Sequence, residues 1–232
     1  MGMVFGKITV ETPKYQILKS AATYEIRKYP PAVIAQYTYD PSQMKGDKDG
    51  GFQVLAGYIG AIGSPQNTKP EKIAMTAPVI TSSEAEKIAM TAPVITSSEA
   101  EKIAMTAPVI TSSEPEKIAM TAPVFTNSEE DKKMVTMQFI LPSKYSTAEE
   151  APKPTDDRVV IKEVGEKIYG VLKFSGLATD SVVEEKVRKL KECLEKDGYK
   201  IIGEFVLARY NPPFTLPPLR TNEVMIPVEL VE

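Results

Sequence analysis

The 232 residues carry 28 Lys and Arg against 31 Asp and Glu, a formal net charge of −3, with 42% hydrophobic and 25% charged residues. That balance allows a sizeable core and argues against a nucleic-acid binder, which needs a cationic field. Histidine is absent, which removes the usual general base near neutral pH, the commonest metal ligand and the usual axial ligand of heme iron.

The opening MGMVFGKITVETPKYQ has neither the basic and apolar blocks of a secretory signal nor the make-up of a transit peptide. Gly6 stands where a myristoylation signal starting at Gly2 wants Ser or Thr. No run of about 18 apolar residues follows, so no spanning helix is expected and the address is read as cytoplasmic.

Tyr24 to Tyr29 alternates and stops at Pro30-Pro31, and Ala32 to Tyr39 is a second β-rich run. After a polar stretch with Gly46, Gly50 and Gly51, residues Phe52, Leu55, Ala56 and Ile59 recur at helical spacing, with a stop near Gly60 or Gly63. EKIAMTAPVITSSEA then begins at Glu71 and returns at Glu86 and Glu101, the third copy altered only at Pro115. A fourth copy from Glu116 differs at Phe125, Asn127 and Glu130. Two readings of residues 71–130 stay open: an added solenoid or β-meander, or an insertion in which one copy fills a required slot and the rest form a hairpin or loop. Each copy's proline removes a ladder donor, which favours an edge position. Identical strands also compete for one slot, so self-association through the repeats is a further expectation.

Met134 to Leu141 alternates again, and Lys144 to Arg158 is a proline-rich connector. Val159 to Val164 and Lys167 to Phe174 read as a hairpin around Gly165-Glu166. Ser181-Val182-Val183-Glu184 reads as a capping box for a helix with the stripe Val183, Val187, Leu190 and Leu194, stopped by Gly198. Tyr199 to Tyr210 and Glu223 to Val231 are the last strands, separated by NPPFTLPPLRT. The fold class is α+β: a duplicated β-β-α-β-β unit making a curved antiparallel sheet or distorted barrel with both helices on one face. Each unit alone would leave its apolar face wet, so residues 1–232 are taken as a single domain. The lone Cys193 forms no internal disulfide and fits a reducing compartment. Glu149-Glu150 and Asp156-Asp157 are paired acids in a polar connector, and no catalytic or metal site is assigned.

KIAMTAPV, PSKYSTAEEAPKPTD, LKFSG and ARYNPPFTLPPLRTNEVMIPVEL occur here in an order that resembles the plant branch of the SOUL/heme-binding proteins. That family usually carries KIAMTAPV once or twice, so four copies depart from it. The resemblance implies a hydrophobic groove binding heme or a related tetrapyrrole without turnover, here with no histidine ligand. It is also similar in fold to the effector-binding domains of drug-sensing bacterial regulators. Mapped onto this chain, Phe52, Leu55, Ala56 and Ile59 form the helical wall of that groove, with Tyr210 and Phe214 opposite. Gln53 and Gly57 leave the first helix uncharged, so Lys45, Lys48 or Arg209 is the candidate partner for the propionates; Tyr, Met or Cys193 stands in as iron ligand. Arg220-Thr221-Asn222-Glu223 matches the family's ending, where it fixes the last strand. Three alternatives remain: a module for another flat hydrophobic ligand, an assembly protein using the repeat strands, and an enzyme acting on tetrapyrroles.

Overall fold

The computed structural model describes residues 5–41, 50–82 and 134–230. These belong to one compact unit, residues 1–85 and 132–232; the second unit, 86–131, lies outside the described residues, as do repeat copies two to four.

The elements follow in the order β1 (Gln16–Ser20), β2 (Glu25–Tyr29), β3 (Ala32–Tyr39), α1 (Gly50–Ile59), β4 (Val79–Ser82) and β5 (Val135–Ile140). The second half supplies β6 (Val159–Val164), β7 (Lys167–Phe174), α2 (Asp180–Lys196), β8 (Lys200–Ile201), β9 (Val206–Arg209) and β10 (Asn222–Glu229). Nine strands make one antiparallel sheet in the order β1-β2-β7-β10-β9-β4-β5-β3-β6, and the short β8 pairs the end of β10. Apart from the edge strand β1, the order is a palindrome about the β9–β4 seam: each half keeps three strands together and lends its first, β2 or β6, to the other. The duplicated unit is thus present in the topology.

The expected hairpin is the main correction. β6 and β7 have the expected bounds yet do not pair; β6 pairs β3, while β7 pairs β2 and β10. Their two-residue link is a crossover between distant parts of the sheet. The same holds for β2 and β3, joined by Pro30-Pro31 although six places apart in the order. On a flat sheet six steps span about 29 Å, whereas three Cα–Cα steps reach at most about 11 Å. The sheet therefore curls, and it forms a half-barrel.

Both helices lie on one face of this sheet. Leu207, which packs under α2, pairs Thr81, and Thr81 pairs Met137, which packs under α1. Cross-strand partners share a face, so the two clusters are continuous in orientation. Helix α1 sits on β3, β5 and β6, and α2 on β7, β8 and β10. A Cβ on Gly51 would lie 2.5 Å from the ring of Tyr39, so glycine lets α1 start in contact with the sheet.

Further differences are local. Helix α2 is capped by Thr179, whose hydroxyl accepts from the Val182 amide, two residues before the serine of the supposed capping box. The run from Tyr199 breaks into β8 and β9 around Gly203. Strand β1, which alternation did not single out, adds an exposed edge to β2. The proline of the first repeat copy does not hold β4 to an edge: Pro78 precedes the strand, and β4 runs centrally between β5 and β9.

Candidate functional site

The seam between the two helices is floored by β4 and β9. One row of register partners crosses it: Phe139, Val79, Arg209, Asn222 and Phe174, all on the helix face. Phe52 of α1 packs on Phe139 with ring centroids 5.4 Å apart. Val79, Arg209, Phe52 and Phe174 are all half-buried. A guanidinium thus stands on a floor with Val79 on one side and Asn222 on the other, and a phenylalanine ring at each end of the row. From Phe139 to Phe174 is four inter-strand steps, about 19 Å at ordinary strand spacing. That arrangement suits a flat apolar ligand carrying a carboxylate, because guanidinium pairs carboxylates with charge-assisted hydrogen bonds while the flanking side chains cover apolar surface.

The six residues of the expected groove separate into three groups. Phe52 borders the seam. Leu55, Ala56 and Ile59 are fully buried in the core beneath α1. The outer side of α1 is enclosed as well: the Tyr58 hydroxyl donates to the Pro152 carbonyl at 2.8 Å, and the Ile73 amide donates to the Ile59 carbonyl at 2.9 Å. Phe214 lies in the proline-rich loop and is 61% exposed. Leu216 and Leu219 of that loop are also exposed.

Tyr210 points to the opposite face of the sheet, one residue out of phase with Arg209. Its hydroxyl donates to Glu223 Oε2 at 2.7 Å, while Glu223 Oε1 accepts from Arg27 Nη1 at 2.9 Å. Arg27 also donates from Nε to Glu25 at 2.7 Å and lies 4.2 Å from the Tyr15 ring centroid. Tyr29 packs against Tyr15 and Tyr169. Burial pushes the phenols of Tyr29 and Tyr210 well above the ordinary tyrosine range; for Tyr210 the carboxylate of Glu223 adds to it. Both remain neutral hydroxyls inside a satisfied ionic network.

Cys193 lies on α2 beside Thr23, 3.7 Å from its hydroxyl, away from the seam. Lys45 and Lys48 lie outside the described residues. The acid pairs of the connector are local: Asp156 holds Arg158, and Glu150 accepts from the Ser146 amide. Among the described residues no cluster of three or more His, Cys, Asp or Glu could hold a metal ion. No helix among them is long and apolar enough to cross a membrane. A shallow depression of about 440 Å³ beside β6, lined by Lys153, Asp157 and Val160 among others, is separated from Arg209 by β3, β5 and β4.

Of the three cations named as propionate partners, Arg209 is the one among the described residues, and register places it. It sits two residues after the buried Leu207, hence on the helix face, at the end of β9, which pairs β4 across the symmetry seam.

No curated protein matches the chain in sequence. Among solved structures it is similar to the C-terminal domain of EcmrR, with 12% identity over 94% of this chain and 99% of that one and a TM-score of 0.49. A hydrolase from Listeria innocua shares 11% identity over 91% and 94%, with a TM-score of 0.44. SAV2435 bound to tetraphenylphosphonium shares 9% over 89% and 93%, with a TM-score of 0.39. At these values the likenesses carry no argument about ligand or activity. The SOUL heme-binding protein family, by contrast, matches residues 10–87 and 112–227, most of the sequence, and the chain belongs to that family.

Proposed function

We propose that the protein binds a tetrapyrrole in the seam between α1 and α2, without turning it over. The observation that carries this reading is the Arg209 row: one cation on a half-buried floor, with Val79 beside it and the Phe52–Phe139 pair and Phe174 at its ends. The family match supports the ligand class. Heme, when bound, supplies its iron for coordination; the chain's own residues act on the macrocycle and its carboxylates. Phe52 and Val79 cover apolar ring surface, and Arg209 pairs a propionate.

The donor set fits the macrocycle better than the iron. Histidine is absent from the sequence, Cys193 faces Thr23, and the phenols of Tyr29 and Tyr210 are held protonated on the other side of the sheet. Binding then rests on ring burial and carboxylate pairing, so metal-free and iron porphyrins bind alike. The same observation favours the second reading, a module for another flat hydrophobic ligand bearing a carboxylate. The motif set supports the plant branch of the family, and the lone cysteine supports a reducing, cytoplasmic address.

Replacing Arg209 with alanine tests the reading. Loss of a charge-assisted hydrogen bond is worth about 1.5–3 kcal/mol, so affinity for protoporphyrin should fall roughly 10- to 100-fold. Protoporphyrin dimethyl ester, which lacks the carboxylates, should bind both proteins equally. An unchanged affinity for the free acid would remove Arg209, and the seam with it, from the site.

A further inference from the structure

Three stretches of chain meet at the end of the sheet where β9 turns back into β10. Residues 211–220 make that connection, directly beyond the paired Arg209 and Asn222. The Asn211 side chain donates to the Gly6 carbonyl at 3.2 Å, and the Gly176 amide, just after β7, donates to the Pro217 carbonyl at 3.0 Å. Together the three stretches display Phe5, Leu177, Phe214, Leu216 and Leu219, each between 43% and 64% exposed. Large apolar side chains gathered on hydrogen-bonded loops form a patch, unlike single ones scattered over a surface.

The backbone beneath this patch is suited to a medium without water. Four of the ten residues 211–220 are prolines, which have no N–H to desolvate. The amides of Thr215, Leu219 and Arg220 donate to the carbonyls of Pro212, Leu216 and Pro217, and the Thr221 amide donates to Asn211 Oδ1 at 2.7 Å. Arg220 reaches back from Nε to the Thr215 carbonyl at 2.8 Å and from Nη2 to the Pro213 carbonyl. Such self-satisfaction lowers the cost of entering lipid, where no partner for a backbone group is on offer.

Charge selects the kind of lipid. The chain has a net charge of −3, yet residues 5–10, 173–179 and 205–222 hold Lys7, Lys173, Arg209 and Arg220 and no acid. Of the acids that border these stretches, Glu223 is buried against Arg27 and Glu11 accepts from the Ser143 amide; Asp180 begins α2 and Glu204 precedes β9. An apolar tip flanked by cations fits an anionic bilayer surface, where apolar burial and headgroup attraction add.

We propose that this patch docks the protein on an anionic lipid surface, with Phe214 and Leu216 entering the interface and Lys7, Lys173 and Arg220 facing the headgroups. The Arg209–Asn222 pair lies next behind the loop, so docking sets the seam at the membrane, where an apolar ligand would enter it. That last consequence rests on the tetrapyrrole reading; the docking does not.

The test uses the full chain and no tetrapyrrole, so its failure is separate from failure of the seam as a ligand site. Sedimentation with vesicles of phosphatidylcholine and phosphatidylserine in equal parts should show saturable binding, about tenfold or more weaker on phosphatidylcholine alone. Phe214→Ser with Leu216→Ser should weaken binding to the mixed vesicles by about tenfold or more, with Tm unchanged because both side chains are exposed. The sequence has no tryptophan, so Phe214→Trp provides a single reporter whose emission should shift to the blue on the mixed vesicles. Absence of sedimentation with them would overturn the proposal, as would a double variant of unchanged Tm that binds undiminished. Unshifted emission from a sedimenting Phe214→Trp protein would overturn it too, because another surface would be making the contact. A doubled mass by light scattering without lipid, lost in the double variant, would give the patch to a second copy of the chain and overturn it.

Discussion

Arg27 and Glu223 are each almost wholly withdrawn from solvent, and the tyrosines around them make that burial tolerable by filling the remaining hydrogen-bond positions. Tyr24, Tyr29, Tyr58 and Tyr210 share one electrostatic consequence. Burial is the largest cause in all four and pushes each phenol above its ordinary value near 10. A folded-state pKa above the unfolded one means that stability present below about pH 10 is lost as pH rises past it, since the unfolded chain then sheds protons the folded chain retains. Urea midpoints should accordingly fall between pH 9 and 11. Absorbance near 295 nm should show these phenols ionising only with unfolding; ordinary titration of all the tyrosines in the folded protein would contradict their burial. None of this was legible in the sequence, where Tyr210 reads as a ligand-facing aromatic. Its parity relative to Arg209 decides its face, and parity is visible only once the strand's partners are known.

At the scale of elements, α2 shows what periodicity can and cannot tell. Its stripe of Val183, Val187, Leu190 and Leu194 is buried as the spacing indicates, because a 3.6-residue period leaves one face to bury. The cap moved to Thr179 because Thr and Ser compete for the same role and only backbone geometry decides between them. How the helix seats on the sheet was not legible either. Gly170 of β7 lies directly beneath Leu194, and a Cβ there would come within 2.6 Å of the leucine methyl. Gly170→Val should cost about 1–3 kcal/mol through overpacking. A double-mutant cycle by denaturant unfolding checks the contact: Leu194→Ala should recover part of that loss, and strict additivity would mean the two residues do not meet. The false hairpin has a similar origin. Two β-rich runs joined by Gly165-Glu166 satisfy every local rule for a turn, but β6 and β7 find better partners in opposite halves of the sheet.

For the molecule as a whole, the duplicated unit was readable from the repeated order of strand-like and helix-like runs, while the exchange of β2 and β6 between halves was not, because strand pairing depends on contacts far apart in sequence. The two halves join at the central seam, where β4 pairs β9 and Val79 is the register partner of Arg209 on the helix face. Of the expected groove residues on α1, Leu55, Ala56 and Ile59 are buried in the core beneath the helix, and Phe52, near its start, borders the seam. The central claim, that the seam binds a tetrapyrrole through its ring and carboxylates, is tested most directly by absorbance titration of the full chain with metal-free protoporphyrin beside hemin. Saturable one-to-one binding of both with similar affinity is the expected result. Saturation by hemin alone would contradict the account, since iron coordination would then carry the binding, and no saturable change with either would remove tetrapyrroles from the function of this chain.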